Sequence, residues 1–240
     1  MNSAQPSLQR YPEIDLLRTF AICGMVVYHF VFMGWYIAGW NVDPLSDAWR
    51  LLARTTSTTF LFLVGISFVL ASRRKQTSAA VWARAIQRSL TVLCAAVVVT
   101  IVTIVLVPES YIRFGILHCI GLSMILLPLF RPLKEGNILL GIFTLLIGFQ
   151  FYLTPAESEI FLPFGLIPKN FSTLDYFPLI PWFGIVLLGV GVGSFLYERL
   201  ELQPFLHQKK WYWWTLPGKY ALWIYLIHPI LIYLALRLHS

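Results

Sequence analysis

The chain has 240 residues, 58% of them hydrophobic and only 12% charged, with a mean hydropathy of +0.72. That is about half the charge of a soluble domain, which excludes a sizeable water-soluble domain and leaves room for one membrane domain over 1–240. The net charge of +7 requires no nucleic acid, because the basic residues are already claimed by one face of a membrane.

Residues 1–13 are polar and carry Pro6 and Pro12, unlike a cleavable signal. Apolar runs then follow near 15–37, 56–72, 89–107, 114–130, 137–153, 176–197 and 219–238. Runs of about 20 apolar residues cross a ~30 Å hydrocarbon core, so the expectation is an all-α, polytopic helical bundle with about seven transmembrane helices. The fourth and fifth runs are the shortest. If the N-terminus is cytoplasmic, thirteen of the eighteen Lys and Arg residues fall on that side and five on the other. This bias orients the N-terminus inward and, with seven spans, the C-terminus outward.

The first run contains Asp15, Arg18 and His29. Arg18 and His29 are eleven residues apart, about three turns, so they share a face across roughly 16 Å of rise. An ionisable side chain inside a span costs about 3 kcal/mol or more and is a functional candidate by default. The structural alternative is an Asp–Arg pair at the interface and a histidine bonded to a neighbouring helix. After the second run, Arg73, Arg74 and Lys75 lead into a stretch with Arg84 and Arg88 one turn apart, with no acid among them. This is a strong anion site, for a phosphorylated cytoplasmic ligand or for anionic lipid headgroups.

His118 lies near the outer end of the fourth run, and His228 precedes Pro229 in the middle of the seventh. Pro229 cannot donate to the Tyr225 carbonyl and biases His228 away from helical geometry, so a break is expected there. Gly189, Gly191 and Gly193 form a small-residue face for close helix approach. Asp175 opens the sixth span from outside, beyond an outer loop at about 154–175 that also holds Glu157 and Glu159. Trp35, Trp40, Trp49, Trp211, Trp213 and Trp214 read as interfacial belts. Cys23, Cys94 and Cys119 fall inside spans and suggest neither a disulfide framework nor a metal cage.

The stretch Glu13-Ile14-Asp15-Leu16-Leu17-Arg18-Thr19-Phe20-Ala21-Ile22, followed by Tyr28-His29-Phe30, resembles the first-helix signature of the transmembrane acyltransferase superfamily. The acyltransferase type 3 proteins of that superfamily have the same ten-residue gap between arginine and histidine. Phe60-Leu61-Phe62-Leu63-Val64-Gly65-Ile66-Ser67 resembles their second helix. The segments 114–123, 175–189 and 218–229 are more similar to the branch containing the heparan-α-glucosaminide N-acetyltransferase catalytic domain. No histidine occurs between 30 and 117, so the active histidine of the lysosomal enzyme has no counterpart here.

The resemblance implies a single transmembrane acyltransferase-like domain over 1–240 in the cell (inner) membrane. It implies a cytoplasmic acyl-CoA donor, usually acetyl-CoA, and a glycan or other small extracytoplasmic acceptor, with no metal and with homo-oligomerisation left open. His29 then matches the histidine that acts in catalysis, Arg18 its partner arginine, and Asp15 a residue linking them. Arg73, Arg74, Arg84 and Arg88 would hold the donor's phosphates, and His118, His228 and Asp175 would line the acceptor side. Acyl transfer from a thioester calls for such a base, and histidine's ordinary pKa suits it. The rival class is a transporter or channel with a proton or anion path through Asp15, Arg18 and the histidines, which would favour paired broken helices. A third is an assembly partner of a glycan-modifying complex.

Overall fold

The computed structural model describes residues 10–73, 77–152, 156, 158–169, 171–206 and 208–238. Among the described residues it is mainly helical, with eight α-helices: α1 Pro12–Ala38, α2 Asp47–Ser72, α3 Ser78–Leu106, α4 Ile116–Phe130, α5 Asn137–Tyr152, α6 Leu179–Gly193, α7 Gln208–Lys219 and α8 Ala221–Leu238. They fall into two compact units, one of 1–56 with 202–240 and the other of 57–201.

In the first unit, α1 starts with proline at its first turn and with Glu13 and Asp15 near its positive end, both favourable placements. It stops at Gly39, whose φ of 65° lets the Gly39 N–H turn back to the Gly34 carbonyl. The helices α7 and α8 both pack on α1. A Cβ on Gly218 would collide with the Asp15 carbonyl, so α7 lies against the bare backbone of α1 there. The Gly218 N–H donates to Thr19 Oγ1 at 2.9 Å, and that hydroxyl donates to the Asp15 carbonyl at 3.0 Å. Trp213 and Trp214 remain 77% and 64% exposed on α7 beside Lys209 and Lys210, the pattern of an interfacial helix.

The second unit is organised around α6. Half of its most apolar stretch is buried against protein, compared with 17% for α3. The exposed Val97, Val98, Ile101, Val102 and Val105 give α3 an apolar rim suited to lipid. The later part of α2 runs parallel to α6 through facing glycines: a Cβ on Gly65 would strike the Val186 carbonyl and one on Gly189 the Phe62 carbonyl. Gly193 continues that face against Ile66 and Val69, while Gly191 faces Ile138 of α5. The expected small-residue packing is therefore present, on two neighbours rather than one. The pair α5 and α6 is antiparallel, with Gly141 and Gly184 each placing the other's carbonyl 2.7 Å from a would-be Cβ.

One expectation needs correction. By length and composition six segments among the described residues could cross a membrane, and one of them, Ile116–Phe151, joins α4 and α5 across a short turn where Lys134 has φ 45°; with those two helices counted singly the number agrees with the expected seven or so. The break expected at His228–Pro229 is absent: α8 runs through both residues. Proline removes from the ladder the N–H that would reach the Tyr225 carbonyl, and inside a membrane neighbouring groups can meet such a carbonyl.

The α2–α6 contact yields a stability prediction. Gly65→Leu or Gly189→Leu should overpack a backbone-to-backbone seam and cost about 1–3 kcal/mol or more. Thermal unfolding in detergent, followed by size exclusion, should show both variants clearly destabilised, whereas Gly136→Ala, with only one neighbour at 3.8 Å, should be tolerated.

Candidate functional site

His29 sits on α1 two turns before its end, and the structure gives it a partner that its position in the sequence does not disclose. Its Nδ1 lies 2.6 Å from Nε2 of His228 on α8. The rings are within 3° of parallel, with centroids 4.9 Å apart. Tyr225, one turn before His228, presents its ring edge-on to both, at 6.5 Å and 6.1 Å, and Tyr28 flanks His29 at 5.9 Å. His228 is buried, with 6% exposed, while His29 is only half-buried. Of the two, His29 is therefore the ring that an incoming molecule can reach. Its Nε2 makes no hydrogen bond among the described residues.

Asp15 and Arg18 pair with each other at 2.6 Å near the start of α1, with a fifth to a quarter of each side chain exposed. They stand apart from His29 by roughly 16–21 Å of helix rise, too far for Asp15 to reach the ring. Asp15 also lines a small open cleft of about 300 Å³ with Arg10, Tyr212, Thr215 and Lys219. Sequence reasoning counted Arg10 and Lys219 as topogenic charge only. What it lacked was α7, which folds Lys219 back beside Asp15.

The remaining expected residues belong to the second unit. His118 is the third residue of α4, and its Nδ1 accepts the Gly115 N–H at 3.3 Å while its ring stacks on Phe114. Asp175 accepts the Ile116 N–H at 2.8 Å. These two side chains thus cap the start of α4, where orphan N–H groups need acceptors. The segments around them are zipped together: Leu174 N–H donates to the Ser110 carbonyl and Phe177 N–H to the Phe114 carbonyl. Arg113 closes this cluster, donating to the Ser172 carbonyl at 2.6 Å and lying over the rings of Tyr111 and Phe171. Arg84 and Arg88 are exposed on α3 and Arg73 is half-buried just after α2, while Arg74 lies outside the described residues. Among the described residues no group of three His, Cys, Asp or Glu side chains could hold a metal.

Comparison with known proteins gives one match. The family model described as heparan-alpha-glucosaminide N-acetyltransferase, catalytic, matches residues 10–230. No curated protein and no solved structure matches.

Burial raises the Asp175 carboxyl to about 6 from an ordinary value of 3.8, against the opposing pull of the Ile116 N–H. The folded state then holds a proton that the unfolded state has released. The stabilisation from this group is complete below about pH 4 and is lost as pH rises through about 6. The stability difference between wild type and Asp175→Asn should therefore shrink or reverse between pH 4.5 and 7.5, measured by thermal unfolding in detergent. A difference that stays constant over that range would sink the assignment.

Proposed function

The chain belongs to the heparan-alpha-glucosaminide N-acetyltransferase catalytic-domain family, and on that premise we propose that it transfers acetyl groups across a membrane with His29 as general base. Family membership implies membrane acetyltransferase activity, and the apolar helices make the chain an integral membrane protein. In the finer reading, acetyl-CoA stays on the cytoplasmic side of the cell (inner) membrane and an extracytoplasmic glycan, or a related hydroxyl or amino compound, receives the group. The observation that carries it is the half-buried His29 ring, held at one nitrogen and open at the other, inside a span. A polar group of this kind at membrane depth points to chemistry or transport. Transport loses its main support with the continuity of α8.

The proton path is short. His29 Nε2 removes the proton from the acceptor's hydroxyl or neutral amino group as its oxygen or nitrogen attacks the thioester carbonyl. The tetrahedral intermediate collapses by breaking the carbon–sulfur bond, and the imidazolium returns the proton to the departing CoA thiolate. No covalent acyl-enzyme is needed. The donor's phosphates are assigned to Arg73, Arg74, Arg84 and Arg88. Guanidinium contacts to phosphate are charge-assisted and often bidentate. Arg18 is held by Asp15, and so is fixed rather than free to wander. A single acyltransferase domain over 1–240 is part of this reading.

The test uses oriented vesicles with labelled acetyl-CoA on the cytoplasmic side and glucosamine as trial acceptor on the other. Wild type should acetylate the acceptor while CoA stays where it was added, and His29→Ala should lose at least about 100-fold in rate with donor binding kept. Movement of unmodified acceptor across the bilayer would instead identify a transporter, and full activity of His29→Ala would remove the base. Separately, Arg84→Gln with Arg88→Gln should weaken acetyl-CoA binding, and the wild-type affinity should fall as salt rises.

A further inference from the structure

We propose that His228 is the positioning residue for His29: it fixes the tautomer that leaves His29 Nε2 as a bare lone pair. This rests on the reading of His29 as the base. The argument starts from the Ile224 carbonyl, which can only accept. It lies 2.8 Å from His228 Nδ1, so that nitrogen carries the hydrogen. In a neutral ring the other nitrogen, Nε2, is then bare and can only accept. Its neighbour at 2.6 Å is His29 Nδ1, which must therefore be the N–H that donates. A neutral imidazole with hydrogen on Nδ1 has none on Nε2. One backbone carbonyl thus dictates, through two rings, which nitrogen of His29 faces the acceptor.

Ring geometry agrees. Rings 3° from parallel, with centroids 4.9 Å apart and nitrogens 2.6 Å apart, lie edge to edge with the hydrogen bond in their common plane. Two rings stacked face to face at that centroid distance could not bring these nitrogens together in line. His228 itself is buried and has both nitrogens engaged, so it does not meet substrate. Histidine bases are usually oriented by a carboxylate or a carbonyl; here the carbonyl acts through a second imidazole, and no carboxylate reaches either ring among the described residues. The aromatic neighbours Tyr28 and Tyr225 enclose the pair.

The decisive measurement is ¹⁵N-histidine NMR of the full-length protein in lipid, with assignment by single-histidine variants. Wild type should show His29 and His228 both protonated at Nδ1 and bare at Nε2, and His228→Leu should release His29 into a mixture of tautomers. His29 protonated at Nε2 in wild type would overturn the proposal. Kinetics with acetyl-CoA and glucosamine supply the second readout. His228→Leu should lower kcat by about 100-fold or more with both KM values within about threefold, as expected when a base is left in the wrong tautomer. His228→Gln places an amide oxygen near the Nε2 position and should recover to within about tenfold, whereas His228→Asn reaches only the Nδ1 position and should stay low. Equal loss in Gln, Asn and Leu variants that remain monodisperse would assign His228 a merely structural part. A fully active His228→Leu beside an inactive His29→Ala would reject the positioning role and keep the base. An active His29→Ala would reject the base while leaving the NMR result to judge the pair.

Discussion

Gly218 has no side chain, and Thr19 holds its hydroxyl where a backbone N–H needs an acceptor; together they let α7 rest on the backbone of α1. Any larger residue at 218 would push the helices apart by the width of a side chain. The histidine pair further along tolerates no such shift, since a hydrogen bond weakens steeply when its donor and acceptor separate or misalign. Thr19 to Gly218 and His29 to His228 are each 199 residues apart. The two stretches therefore run parallel and in constant register, and the close approach at one end sets the spacing at the other. The Asp15–Arg18 pair lies at the same end as Gly218, so a charge pair in a costly environment is held beside the anchor rather than beside the histidine pair.

The second unit solves a similar problem by a different route. Lipid offers helices no hydrophobic reason to associate, so contact depends on small residues and polar bonds. Gly65, Gly189 and Gly193 bring α2 and α6 to backbone distance, and Gly141 with Gly184 does the same for α5 and α6. Ser89 adds a buried hydroxyl bond to the Gly121 carbonyl between α3 and α4. At the start of α4 the polar work falls to Asp175 and His118, which meet N–H groups there.

Composition and run length made the helical membrane architecture legible, because both follow from the thickness of a bilayer. The glycine face around 189 was legible for the same reason: spacing along one helix is local information. His29 stood out as an ionisable group within a span. Its partner did not, because nothing in the local pattern of 225–229 says which helix lies opposite. His228 was accordingly read as lining the acceptor side. Pro229 was misleading, since the rule that proline disfavours helix before it is a statistical bias, and packed helices inside a membrane tolerate the lost N–H. The short helices α4 and α5 were legible as two runs because the charged turn Arg131-Pro132-Leu133-Lys134-Glu135-Gly136 separates them. Asp175 was noticed as an acid near the outer face, but its partner, the Ile116 N–H, is 59 residues away and invisible to spacing.

The 199-residue separation of the histidine pair also bears on how the protein is made. Chains grow at about 5–20 residues per second, so α1 leaves the ribosome roughly 10–40 seconds before His228 does. During that interval His29 has no His228 to bond, and the Asp15–Arg18 pair is close enough in sequence to form at once, within a single helical turn. The first helix thus carries its own charge compensation from birth, while the histidine contact forms only when the last helix arrives. A nascent or prematurely terminated chain would have the grip of α1 on the membrane but no histidine pair.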